Sequence, residues 1–194
     1  GARVPAGSGR SGGVGTGRIA LPAVVAGANV TGIDNSYAML VLCREKLRMA
    51  DRTSGRLKLV LADMSSFRFR RTFSCIMMPY RAFMHLLTPE EQRRCLDNVR
   101  AHLAEDGCFV MNTWTAKPST IAKIQSARLA GKLKFAGRYR IEEAGFTILH
   151  LHAASCDEIQ QLLVEQHVIH EVDGHGKVVR EAVLPLVRAW TMQR

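Results

Sequence analysis

The chain has 194 residues, of which 47% are hydrophobic and 23% charged, and its formal net charge at pH 7 is +10. This length suffices for one domain with a sizeable core and is too short for two ordinary domains. No apolar run approaches the ~20 residues that span a bilayer, and the N-terminal stretch GARVPAGSGRSGG lacks the apolar segment of a secretory signal. These features argue against a membrane-spanning or secreted protein and predict a cytoplasmic one.

The cysteines and the charge narrow the possibilities further. Five cysteines are scattered without a C-x-x-C pair, which predicts free thiols in a reducing compartment, most of them buried. Residues 1–81 account for +9 of the net charge of +10, with 13 Lys and Arg against 4 Asp and Glu. A polyanionic partner is one explanation. A solvated basic surface is preferred, because the basic residues are dispersed and lack interleaved aromatic side chains.

Helices and strands alternate in the first part of the chain. Gly27 is a typical helix stop, and Thr88 with Pro89 and Glu91 forms a capping signal for a later helix. The predicted elements are a helix at 18–27, a strand at 29–34, a helix at 36–51, strands at 57–63 and 73–80, a helix at 88–107 and a strand at 108–114. This order predicts an α/β fold with a doubly wound, mostly parallel sheet.

The pattern changes at about residue 117. A helix is predicted at 118–132, and three antiparallel strands at 138–153, 158–172 and 177–190 form an appended sheet. The predicted division is therefore a disordered or non-native tail at 1–12, an α/β core at 13–116 and an extension at 117–194. The extension is expected to serve the acceptor side or dimerisation.

A glycine cluster opens the α/β core. Gly13, Gly15 and Gly17 form G-x-G-x-G, whereas Arg18 stands where a dinucleotide-binding fingerprint has its third glycine. No Gly-Lys-Ser/Thr follows, so the turn is not a P-loop. With the strand that ends in Asp34 and the LADM stretch that contains Asp63, the pattern over residues 13–114 resembles the class I S-adenosylmethionine-dependent methyltransferases.

The resemblance implies a site for S-adenosylmethionine at the glycine turn and the neighbouring strand ends. The three glycines of the turn have no Cβ atoms, so the backbone can approach the methionine part of the cofactor. Asp34 is expected at the ribose hydroxyls, and Asp63 at the adenine amino group. Capping of the following helix is the alternative for either carboxylate, and ordinary core packing is the alternative for Met39 and Met78. The implied cofactor residues are Gly13, Gly15, Gly17, Asp34, Asn35, Met39, Asp63, Met64 and Met78.

The acceptor side is less defined. In the resembled family it follows the fourth strand, here the stretch PYRAFMHL, so Tyr80, Arg81 and His85 are the candidate catalytic residues. The alternative is that Tyr80 and His85 pack and Arg81 is solvated. The preceding residues lack the Asp/Asn-Pro-Pro-aromatic motif of enzymes that methylate DNA amino groups, which disfavours a nucleic-acid acceptor.

No metal site is predicted. His150 and His152 share a strand face, but His167 and His170 are three residues apart and would face opposite sides of a strand. No cysteine or carboxylate at ligand spacing accompanies them.

Two departures from the family pattern keep other functions open. Residues 5–12 cannot form the buried strand that normally precedes the first glycine, and the closing C-terminal hairpin is not evident. The leading interpretation is methyl transfer to an N or O atom of a small molecule, with homodimerisation through the appended sheet. The alternatives are a non-catalytic, methyltransferase-like binding or scaffold protein and, less favoured, an RNA or DNA methyltransferase.

Overall fold

A computed structural model describes residues 13–50, 55–115, 117–126 and 132–189. The chain divides into two compact units, one that ends at Trp114 and one that begins at Thr115. The predicted tail at 1–12 and the segment expected to fail as a first strand lie outside the described residues. No helix of the described ranges is both long and apolar enough to cross a membrane.

The first unit alternates helices and strands in the predicted order. Its elements are α1 (Ala20–Val25), β1 (Asn29–Asp34), α2 (Tyr37–Arg48), β2 (Arg56–Leu61), β3 (Phe73–Met78), a 3-10 helix (Ala82–His85), α3 (Pro89–His102) and β4 (Leu103–Met111). The predicted end of α3 at Gly107 is wrong, because the chain becomes extended at Leu103, which pairs with Phe73 of β3. Sheet pairing thus overrides the local helix signal.

The parallel strands form two separate pairs. β1 runs parallel to β2, from Asn29 opposite Arg56 to Asp34 opposite Leu61. β3 runs parallel to β4 and ends with Met78 opposite Met111. The α/β class with parallel strands is confirmed, and within the described ranges the hydrogen-bonded parallel strands form two two-stranded sheets. The carboxyl ends of β1 and β3 nevertheless both lead into segments that the sequence placed at the site.

Local signals explain where the helices begin and end. The Thr88 side chain accepts a hydrogen bond from the backbone N–H of Glu91, and the Glu91 side chain accepts from the Thr88 backbone N–H, so the predicted capping box of α3 is present. Ser36 caps α2, and its side chain accepts a hydrogen bond from the Met39 backbone N–H. Gly27 follows α1 with φ +97°, the left-handed stop that the sequence predicted.

A compact core lies between α3 and the β3–β4 pair. Its buried members are Met64, Met78, Ala82, Phe83, Leu86, Cys95 and Val99, with Ile33, Ile76 and Phe109 packed against them. Because Ile33 belongs to β1, the core also reaches the strand that carries Asp34. It therefore supports the loops that follow β1, β2 and β3.

The cysteines divide by position. All five are free thiols, but only Cys43 and Cys95 are buried, so the expectation that most would be buried is wrong. Cys75 and Cys108 are sheet partners and exposed, because the core covers only the other face of β3 and β4. Burial raises the pKa of Cys95 to about 12.

The second unit is an antiparallel sheet with one described helix. Its elements are α4 (Pro118–Gln125), β5 (Lys134–Ile141), a 3-10 helix (Glu142–Ala144), β6 (Phe146–Asp157), β7 (Leu162–Val172) and β8 (Val178–Ala189). The sheet order is β5-β6-β7-β8. The prediction of three strands is corrected to four: Gly145, with φ +69°, ends a turn that divides the predicted first strand in two.

Candidate functional site

The three glycines of the turn have positive φ angles, and each has a different neighbourhood. A Cβ on Gly13 would lie 2.1 Å from the Ile33 carbonyl oxygen, and one on Gly17 would lie 2.6 Å from Cys43 Sγ. A Cβ on Gly15, with φ +55°, would have nothing within 4 Å. Gly13 and Gly17 therefore allow the turn to pack closely on β1 and α2, whereas Gly15 faces open space.

The turn is tied to the end of β1 by backbone hydrogen bonds and one carboxylate. The N–H of Val14 donates to the Ile33 carbonyl over 2.7 Å. Asp34 is fully buried; its Oδ2 accepts from the Gly15 N–H over 2.8 Å and its Oδ1 from the Ser36 N–H over 2.9 Å. The predicted ribose ligand thus holds the turn against the start of α2, and both of its oxygens bind backbone.

Three further predicted residues lie at the same edge. Asn35 is exposed directly after β1, and Met39 is half-buried in the first turn of α2. Asp63 follows β2, next to β1, and its Oδ1 accepts from both the backbone N–H and the hydroxyl of Ser65. A carboxylate can accept about four hydrogen bonds, so Asp63 can also receive an amino group.

The other two predicted methionines belong to the core. Met64 and Met78 are 5% and 6% exposed, and Met78 Sδ lies 3.9 Å from Cys95 Sγ. For Met78 this matches the core-packing alternative. Both side chains are part of the core that supports the loops after β2 and β3.

The segment after β3 adopts an unusual backbone and meets the glycine turn. Tyr80 and Arg81 have φ angles of +55° and +61°, a region that costs non-glycine residues of order 1–3 kcal/mol. The Arg81 N–H donates to Asn112 Oδ1 over 3.2 Å, and the exposed Tyr80 ring lies 5.2 Å from the Arg18 guanidinium carbon. Sequence reasoning did not identify Arg18 or Asn112 as neighbours of the site.

His85, the remaining catalytic candidate, is half-buried at the end of the 3-10 helix. His85 and Tyr80 therefore both belong to the segment between β3 and α3.

The larger of two described cavities lies elsewhere in the first unit. It has a volume of about 610 Å³ and is lined by the beginnings of β1 and β2 and by Phe69 and Arg71. In open α/β sheets, ligands bind outside the carboxyl ends of the strands. The glycine turn, at the carboxyl end of β1, is therefore the stronger candidate site.

A second polar group lies in the second unit. His150 and His152 of β6 share a sheet face with Glu165 and His167 of β7. The pair considered in the sequence, His167 with His170, is not brought together. The signal that could have found the group is the i, i+2 spacing on both strands, Glu165 with His167 and His150 with His152.

Comparison with known proteins gives a family and several similar folds. Residues 12–107 match the sequence model of a family described as a methyltransferase domain. No curated protein sequence matches the chain. The CcbJ methyltransferase from Streptomyces caelestis is 26% identical, with a TM-score of 0.70 over 92% of this chain and 64% of that one.

Two more distant structures share the fold. An S-adenosylmethionine-dependent methyltransferase from Clostridium acetobutylicum is 17% identical, with a TM-score of 0.68 over 93% of this chain and 65% of that one. CalS10, an amino pentose methyltransferase from Micromonospora echinaspora, is 22% identical, with a TM-score of 0.61 over 85% of this chain and 61% of that one. The chain therefore spans less than two thirds of the length of these proteins.

Proposed function

We propose that the chain is a class I S-adenosylmethionine-dependent methyltransferase and that it transfers a methyl group from S-adenosylmethionine to a nitrogen or oxygen atom of a small-molecule acceptor. The observation that carries the proposal is the open space at Gly15, which is bound to buried Asp34 at the carboxyl end of β1, while half-buried Asp63 follows the neighbouring strand β2. When bound, the cofactor would supply a methyl group activated by a sulfonium.

The proposed cofactor contacts follow from which residues of the site face open space and which pack closely. Gly15 offers a surface without a side chain for the methionine part, and Asp34 keeps that surface in place through the Gly15 N–H. Asn35 and Met39 border the ribose and adenine region, and Asp63 accepts the adenine amino group. Gly13, Gly17, Met64 and Met78 contribute by fixing the backbone and the floor of the site.

The proposed acceptor side is the segment after β3. With the cofactor bound, its sulfonium would supply the electrophilic methyl group, and an acceptor nitrogen or oxygen that carries a proton would need a base to remove it. Tyr80 and Arg81 orient the acceptor from their left-handed backbone, and His85 takes the proton. A His85→Gln variant is expected to lower kcat while leaving the affinity for S-adenosylhomocysteine unchanged.

Cofactor binding is the first test. Calorimetric titration with S-adenosylhomocysteine should give heat with the wild type and at least about tenfold weaker binding with Gly15→Asn. Asparagine tolerates a positive φ, so the substitution fills the open space with little backbone strain. Gly145→Asn is the matched control, since Gly145 also has a positive φ and open space but lies in the second unit. Absence of heat from the wild type would favour the non-catalytic alternative.

A small molecule, rather than a nucleic acid, is the proposed acceptor. Among proteins of this fold, CalS10 is an amino pentose methyltransferase. The stretch before Tyr80 lacks the motif of DNA amino-methyltransferases. Filter binding of RNA or DNA with a steep dependence on salt would contradict this choice.

Homodimerisation is proposed through the sheet of the second unit. β5 and β8 are the edges of the described sheet, and both expose large apolar side chains, among them Phe135, Tyr139, Val183 and Leu184. Light scattering is expected to give twice the monomer mass for the wild type and the monomer mass for Val183→Lys/Leu184→Lys. A monomeric wild type would refute the proposal.

A further inference from the structure

Side chains from two neighbouring strands of the second unit converge on one sheet face. His152 lies directly opposite His167, and Glu165 precedes His167 by two residues on the same face of β7. One ligand atom of each of these three residues lies within 4.8 Å of the other two. We call His152, Glu165 and His167 the sheet triad.

The distance between the ligand atoms of His152 and Glu165 suits a metal ion. His152 Nε2 lies 3.2 Å from Glu165 Oε1. With bonds of about 2.0–2.1 Å, two ligands of a tetrahedral Zn²⁺ lie about 3.3 Å apart. An ion can therefore replace the proton between this nitrogen and this oxygen with little movement of either side chain.

A neighbouring histidine favours the ligating form of His167. His150 Nε2 lies 2.9 Å from His167 Nδ1. In the tautomer in which Nδ1 donates to His150, the Nε2 of His167 is unprotonated and can bind a metal.

An arginine binds the carboxylate oxygen of Glu165 that does not face His152. Arg188 of β8 donates to Glu165 Oε2, which leaves Oε1 facing His152. The Glu165 side chain is only 8% exposed, whereas that of His152 is 33% exposed. A cavity of about 370 Å³ is lined in part by His152, Ala154 and α4 residues, so His152 is the member of the triad that an entering ion can reach from it.

We propose that the sheet triad is a binding site for a divalent transition-metal ion of the Zn²⁺ type, with His150 as its positioning residue. Two imidazoles and one carboxylate leave a coordination position open for water or a ligand. The site lies within the second unit, and the proposal does not depend on the proposed methyl transfer.

The test is metal binding to the chelator-treated chain. Calorimetric titration with Zn²⁺ is expected to give one equivalent bound, and His152→Gln and His167→Gln are each expected to weaken binding by more than about 100-fold. His150→Gln removes only the partner of His167 and is expected to weaken binding by about 10-fold. Circular dichroism establishes that each variant is folded.

Two controls separate the sheet triad from other sites. His170→Gln breaks a similar contact, since His170 Nε2 lies 2.7 Å from Glu181 Oε2, but His170 is absent from the triad, so binding should be unchanged. Cys75 and Cys108 are exposed thiols that lie opposite each other on β3 and β4, and thiols can also bind Zn²⁺. The variant Cys75→Ser/Cys108→Ser should therefore leave the affinity of the triad unchanged.

Substitution with Co²⁺ provides a readout that does not depend on the variants. Visible absorption bands of tetrahedral Co²⁺ without thiolate charge-transfer bands are expected. Absence of a stoichiometric site, equal affinity in His167→Gln, or loss of binding in the double cysteine variant would each overturn the proposal.

Discussion

The glycine turn is a polar site next to parallel strands, and the sheet triad is a polar site on antiparallel strands. Different atoms hold the two sites together. In the turn, backbone N–H groups donate to a buried carboxylate and to a carbonyl, and the glycines have almost no space around them except at Gly15. In the triad, side chains contact side chains on a sheet whose ladder is complete without them. Substitutions in the turn should therefore cost stability, whereas substitutions in the triad should change chemistry with little effect on folding.

The largest effect is expected for Gly13→Ala. The new Cβ would lie 2.1 Å from the Ile33 carbonyl oxygen, a backbone atom that cannot move without breaking the contact between the turn and β1. We expect the free energy of unfolding to fall by about 3 kcal/mol or more. Urea unfolding followed by the helical ellipticity, to which α1–α3 contribute most, measures the change.

Gly15→Ala is the control for this prediction. It introduces the same methyl group at a positive φ with open space, so only the backbone strain of about 1–2 kcal/mol remains. Equal losses for the two variants would mean that conformation, and not close packing, requires glycine at position 13.

Asp34→Asn comes next in size. The amide keeps one acceptor oxygen, but its NH₂ group must face the N–H of either Gly15 or Ser36, and the site is fully buried. One buried donor is then left without an acceptor, which costs about 2 kcal/mol. Asp63→Asn, at a half-buried position, should cost less in the same urea titration; a larger loss there would show that Asp34 does not hold the turn.

Thr88→Ala measures an isolated side-chain contact in the first unit. The variant loses one half of the capping box of α3, and we expect a loss of about 1 kcal/mol. Ser36→Ala should cost less, because the Ser36 hydroxyl accepts over the longer distance of 3.4 Å. The reverse order would indicate that the α2 cap is coupled to the turn through Asp34.

The features that could be predicted from the sequence are those decided over short stretches of chain. The glycine turn, the stop at Gly27 and the capping box at Thr88 each depend on residues a few positions apart, and the structure contains all three. The order of α1 to β4 follows from hydrophobic runs and breakers in the same way. The glycine turn, together with Asp34 and Asp63, then gave the resemblance to the class I methyltransferases.

The features that could not be predicted depend on partners far apart in the chain. Glu165 and His152 become neighbours only through the register of β6 with β7, which no local pattern specifies. The separation of the parallel strands into two pairs and the exposure of Cys75 and Cys108 depend on what covers each sheet edge and face. The burial of Asp34 against backbone N–H groups likewise required the path of the turn.

The smallest effect is expected for His150→Gln in the absence of metal. His150 is half-buried and its described hydrogen bond runs to His167 Nδ1, which glutamine can partly replace, while the pairing of β6 with β7 is made by backbone. Surface substitutions of this kind change the free energy of unfolding by about 0.5 kcal/mol or less. Urea unfolding after chelator treatment should therefore leave the midpoint nearly unchanged, in contrast to Gly13→Ala. A loss as large as that of Asp34→Asn would mean that the histidines hold the sheet together, and the distinction between a backbone-built turn and a side-chain-built triad would fail.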